Sequence, residues 1–177
     1  MKNENFFRLF ILILFFLIFF KNTVFAQSNY VLPYPSSMPG SFSYKIHLIY
    51  ESISRYWYFG DFGQFDYGLK MTDKYLVEVK TLFEYKQYLL GYKALKKSDQ
   101  YFVDILPNLK RAEKNNKNIL QKKAILGEAA QKHIEVLRGM ISKIPGTIVW
   151  EPEKSIPTTL NLKKAIDESI LFREKSL

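Results

Sequence analysis

Between Phe65 and Phe102 the apolar side chains recur at the spacing of a helix. Phe65, Leu69, Leu76, Val79 and Phe83, with Thr72 in the one gap, advance by alternating steps of four and three residues. Tyr75, Leu82 and Leu89 form a second row beside this stripe, so the apolar face is wider than a coiled-coil seam and calls for more than one neighbour. The opposite side carries Lys70, Asp73, Lys74, Glu78 and Lys80, and reads as solvated surface. The pattern predicts two antiparallel helices, the first from about Gln64 to Tyr85 and the second holding Leu95, Phe102 and Leu106. A turn near Lys86-Gln87 separates them, with a rival reading that carries the first helix on to Gly91. Pro107 lacks a backbone donor and is expected to kink or end the second helix.

Helical spacing recurs on both sides of this hairpin. Phe42, Ile46, Ile49, Ile53 and Trp57 mark a helix from about Ser41 to Tyr58, expected to bury that stripe before the break at Gly60-Asp61-Phe62-Gly63. The aromatic run Tyr56 to Phe59, continuing in Phe62, Phe65 and Tyr67, is expected to close one pole of the core. Its functional alternative is a stacking platform for sugars or a membrane-interface belt. Asn118 and Gln121 have capping-box spacing and open a fourth helix, with Leu120, Ala124, Gly127, Ile134, Leu137 and Ile141 in one row and Leu126, Ala130 and Met140 in another. After Pro145-Gly146 and a loop around Trp150, Thr158 or Thr159 caps a last helix bearing Leu162, Ala165, Ile166 and Ile170. No alternating β pattern is evident, so the expected fold is all-α, an antiparallel bundle of about five helices over 41–177. Before it, 27–40 carries Pro33, Pro35 and Pro39 and reads as an extended strap whose Leu32, Tyr34 and Met38 lie across the bundle.

The first residues change the destination. Lys2 and Arg8 precede an unbroken apolar run from Leu9 to Phe20, followed by Val24-Phe25-Ala26, the order of a secretory signal peptide cleaved after Ala26. The run is shorter than the roughly 20 residues of a spanning helix, which leaves a retained N-terminal membrane anchor as the alternative. The chain of 177 residues carries 26 basic and 17 acidic side chains, for a charge of +9. Loss of Lys2, Arg8, Lys21 and Glu4 with the leader brings it to +7. With no cysteine, disulfides, thiolate metal sites and cysteine nucleophiles are excluded.

Several stretches resemble a known family. Tyr30-Val31-Leu32-Pro33-Tyr34-Pro35, Thr72-Asp73-Lys74-Tyr75-Leu76 continuing to Tyr101-Phe102, Lys132-His133-Ile134-Glu135-Val136-Leu137 with Ile144-Pro145, and Ala165-Ile166-Asp167-Glu168-Ser169 follow the order of a secreted prokaryotic helical domain family of unknown function. The resemblance spans nearly all of the chain after the leader. It implies export and an α-helical fold, and it implies no activity. The chain departs from the family in Lys86 where a turn glycine is favoured, in Pro107 and in the loop around Trp150.

No nucleophile elbow, His-Glu-x-x-His motif or phosphate-binding glycine loop occurs, so a non-enzymatic role without cofactor is expected. The strongest surface signal is a basic turn of Lys110, Arg111, Lys114, Lys117, Lys122 and Lys123, opposed in sequence only by Glu113. Export turns it away from nucleic acid and toward an anionic membrane surface or cell-wall polymer. A second reading places a metal or small ligand between His47 and Glu51, which share a helix face, with His133 supplied by another helix. The resulting expectation is an exported binding or structural module at the cell envelope.

Overall fold

The computed structural model describes residues 28–35, 37–154 and 156–177, and the expected leader, 1–26, lies outside them. The fold is all-α: α1 (Phe42–Ser54), α2 (Gly60–Glu84), α3 (Tyr88–Lys114), α4 (Leu120–Ile141) and α5 (Leu162–Glu174). A single 3₁₀ turn, Arg55–Trp57, follows α1. A small hairpin absent from the expectation, β1 (Thr147–Trp150) with β2 (Thr158–Asn161), joins α4 to α5 and pairs antiparallel, Ile148 opposite Leu160. Asn161, rather than Thr158 or Thr159, caps α5, its side chain accepting from the Lys164 N–H at 2.9 Å.

The central pair is the antiparallel hairpin of α2 and α3. Between them the chain turns at Tyr85-Lys86-Gln87, with Lys86 at φ 59° and the Gln87 N–H reaching back to the Leu82 carbonyl at 2.8 Å. That is the six-residue closure of a Schellman turn, and the lysine stands in the left-handed position usually given to glycine. Gly91 is needed just beyond, since a side chain there would meet the Phe83 ring at 2.4 Å. Pro107 neither ends nor interrupts α3, which runs on to Lys114. Its ring is exposed, and on the next residue the Asn108 side-chain amide donates to the Asp104 carbonyl at 2.9 Å. The expected capping box at Asn118 is replaced by a shorter turn: Asn118 Oδ1 accepts from the Leu120 N–H, and α4 starts without a side-chain cap.

The core forms two apolar clusters. One joins Leu76, Val79, Leu95, Leu137, Leu162 and Ile166. The other joins Phe65, Leu69, Phe102, Ile105, Leu126 and Ala130. Polar residues are buried along the same helices between these clusters: Thr72 and Asp73 on α2, Ser98 and Asp99 on α3, His133 on α4, Ser169 and Arg173 on α5. The supposed solvated face of α2 is therefore corrected. Asp73 and Glu78 are 6% and 5% exposed, because α4, the strap and α1 cover that side.

Of the strap side chains, Leu32 and Met38 pack on the core, whereas Tyr34 projects into solvent. A larger correction falls on α1. Its stripe of Phe42, Ile46, Ile49, Ile53 and Trp57 points outward, and Ser54 is its one buried residue among those described. The inward face is polar because what it meets on α2 is polar. Tyr44 Oη donates to Glu78 Oε1 at 3.0 Å, Lys74 donates to Glu51, and Tyr67 Oη donates to the Glu51 carbonyl at 3.0 Å.

Candidate functional site

At the pole where α1 ends, sequence-adjacent aromatics separate. Tyr67 and Phe65 enter the core, while Tyr56, Trp57 and Phe59 remain 76%, 62% and 81% exposed. The chain folds tightly there: a side chain at Gly63 would lie 2.7 Å from the Tyr58 carbonyl carbon. Tyr50 and Trp57 pack edge to face at 6.2 Å, so the outward aromatics are arranged against each other on the α1 surface. The one carboxylate of α1, Glu51, faces inward onto Lys74 and Tyr75, which leaves Lys45 and His47 as the exposed basic side chains of that helix.

The basic turn occupies the same pole. Asp61, two residues past Phe59, accepts from Arg111 Nε at 3.4 Å, Asn115 at 3.1 Å and Lys117 at 3.3 Å. Lys122 reaches Asp66 at 2.5 Å and Lys123 reaches Glu113 at 3.7 Å. Glu113 is thus not the sole opposing charge, since the start of α2 adds two carboxylates that are distant in sequence. Lys110 and Lys114 are exposed and have no such partner among the described residues. Burial alone would raise the Asp61 carboxyl, but hydrogen bonds from Asn115, Lys117 and Arg111 and the charge of Lys117 outweigh it and hold the group below its ordinary value. Exposed pairs of this kind add little to stability and leave the cluster net positive, three carboxylates against six cations.

The three residues of the metal reading are not brought together. His47 is exposed and bonds Ser37, Glu51 is engaged by Lys74 and Tyr75, and His133 is fully buried with its Nε2 2.6 Å from Asp73 Oδ1. Among the described residues no group of three or more metal-capable side chains forms.

His133 belongs instead to the buried polar layer. Asp73 accepts from Tyr30 Oη at 2.7 Å through its second oxygen. Arg173 Nη1 donates to Asp99 Oδ1 at 2.8 Å and its Nη2 to Ser98 Oγ at 2.9 Å, while the guanidinium lies 5.0 Å from the centre of the Phe102 ring. Desolvation lowers the His133 pKa, against the pull of Asp73. The neutral form also fits the geometry, because Nδ1 is buried with no acceptor and an imidazolium would strand a proton there. Desolvation likewise raises Glu78, whose Oε2 is buried without a partner. This layer serves the fold. Sequence spacing carried one signal of it, since Arg173 falls seven residues after Ile166 on the buried stripe of α5.

Fold and surface together define an all-α bundle carrying an outward apolar helix beside a basic turn. In comparisons with protein-family models, curated proteins and solved structures, the chain matches none. No helix among the described residues is long and apolar enough to cross a membrane.

Proposed function

We propose that the chain is an exported, non-enzymatic helical bundle that binds an anionic membrane surface at the cell envelope. The leader-like start of the sequence and the resemblance to a secreted helical family of unknown function support export. The observation that carries the binding reading is the outward stripe of α1 running down to the pole that holds the basic turn. A wall polymer is polar, so it would satisfy the lysines and leave five large apolar side chains in water. A lipid surface accommodates both, with Trp57 and Tyr50 at headgroup depth and Lys45, Lys110 and Lys114 attracted to anionic lipid. Half-burial of each apolar side chain contributes about 1 kcal/mol, so the stripe outweighs the screened charges once contact is made.

The test is sedimentation of the leaderless protein with anionic vesicles at low salt. Binding is expected, weaker on neutral vesicles, declining with salt and lost when Ile49 and Ile53 are both replaced by Glu. Protein that stays in the supernatant at low salt overturns the proposal. Concentration-dependent dimerisation abolished by the same double replacement would assign the stripe to a second copy of the chain instead.

A further inference from the structure

Resting on the membrane reading, we infer that the cleft between α2 and α3 at this pole is a headgroup site for a lipid whose head is a phosphate bearing a polyol. The cleft has a volume of about 340 Å³, which suits a small polar head. Its wall is aromatic, with Tyr67 and Tyr101 edge to face at 6.0 Å.

Its rim is cationic. The side chain of Arg55, exposed on the 3₁₀ turn, makes no hydrogen bond or ion pair among the described residues. Across from it Arg111 commits Nε to Asp61 and Nη2 to Asn108, which leaves Nη1 for a ligand. Two guanidiniums facing one hollow are the donors that recognise a phosphate.

Acceptors stand beside them. Gln64, which lines the cleft, spends its amide N–H groups on the carbonyls of Tyr58, at 2.6 Å, and Arg55, at 3.3 Å, which leaves its Oε1 as an acceptor. The Asp104 carboxylate also lines the cleft. A bare phosphate would be repelled by Asp104, and a neutral sugar would leave the Arg55 guanidinium without a counter-ion. A phosphate carrying free hydroxyls satisfies both sets.

The lipid source is indicated by what adjoins the cleft. Arg55 and Gln64 also line a second hollow of about 420 Å³ with Tyr56 and Phe59, the exposed aromatics of the apolar surface. A head seated on Arg55 would therefore continue toward side chains suited to the acyl boundary.

The experiment compares vesicles containing phosphatidylglycerol with vesicles containing the same mole fraction of phosphatidylserine, which carries equal net charge and a phosphate but no free hydroxyl. The purified protein is expected to bind the phosphatidylglycerol vesicles about tenfold more tightly, the effect of one added charge-assisted contact. Arg55→Gln should abolish that preference, and Lys175→Gln, which removes the same charge elsewhere, should preserve it. Soluble glycerol phosphate should shift the Tyr67 and Tyr101 ring resonances. Equal binding to both vesicles by the unaltered protein overturns the headgroup site and leaves the membrane contact standing. Ring shifts with glycerol phosphate but no vesicle binding overturn the lipid source and keep a site for a free polyol phosphate. Neither response overturns both.

Discussion

Tyr30 Oη and His133 Nε2 share the two oxygens of Asp73, at 2.7 and 2.6 Å, so one buried carboxylate ties the extended strap to α4 across α2. Tyr30→Phe keeps the ring beside His133 and removes the donor to Asp73. The expected loss is about 1–3 kcal/mol in urea unfolding, the cost of an unsatisfied buried acceptor. Tyr34→Phe, on a side chain 96% exposed, should change stability by less than about 0.5 kcal/mol.

Arg173 and Asp99 form a buried ion pair, with Ser98 and Ser169 completing it. Arg173→Met strands the Asp99 carboxylate and should cost about 3–5 kcal/mol. Combining it with Asp99→Leu should recover part of that loss. A double-mutant cycle in denaturant checks it, and additive effects would contradict the coupling.

Stability should depend on pH in two opposed ways. His133 has its folded pKa depressed below 6.5, so as pH falls below that value the unfolded chain takes a proton the folded chain resists, and stability declines down to the folded pKa. Glu78 has its folded pKa raised above 4.5, so stability declines as pH rises from that value through the folded pKa. Glu78→Gln keeps a side-chain carbonyl as acceptor for Tyr44 and should stabilise the protein at neutral pH. Melting temperatures across the acidic range, with and without this substitution, test both signs.

Ile49→Ser and Trp57→Ser should each leave stability within about 0.5 kcal/mol of the parent, because both side chains face water in the folded chain. Phe65→Ala, in the core two turns past Phe59, should cost about 3–5 kcal/mol. In vesicle binding the order reverses, with Ile49→Ser and Trp57→Ser each reducing affinity about fivefold.

Lys86→Gly should stabilise the protein by about 1 kcal/mol, since the residue sits at φ 59° where a Cβ is unfavourable. Thermal unfolding measures it, and destabilisation would show that the lysine side chain contributes more than the backbone strain costs.

Much of the fold was legible because long helices repeat one signal many times. The Phe65 to Phe83 stripe and the buried row of α5 follow from spacing alone, whereas the backbone closure at Lys86-Gln87 was needed to choose that turn over one at Gly91. The hairpin of β1 and β2 escaped because four-residue strands carry too few positions to display alternation. The six basic residues were legible as a cluster; the carboxylates of Asp61 and Asp66, some 50 residues earlier, were not, since helix packing alone brings them there.

Sequence periodicity by itself determined that this chain is helical and which face of α2 is apolar, because these depend on neighbours one or two turns away. Only the tertiary structure decided that the apolar stripe of α1 faces outward and that Asp73, Glu78 and His133 face inward. A stripe specifies that a helix has two faces and leaves open which is covered. That choice falls to the opposing surface: Lys74, Tyr75 and Glu78 on α2 offer hydrogen bonds and charge, so α1 meets them with Tyr44 and Glu51 and leaves Ile49, Ile53 and Trp57 in water.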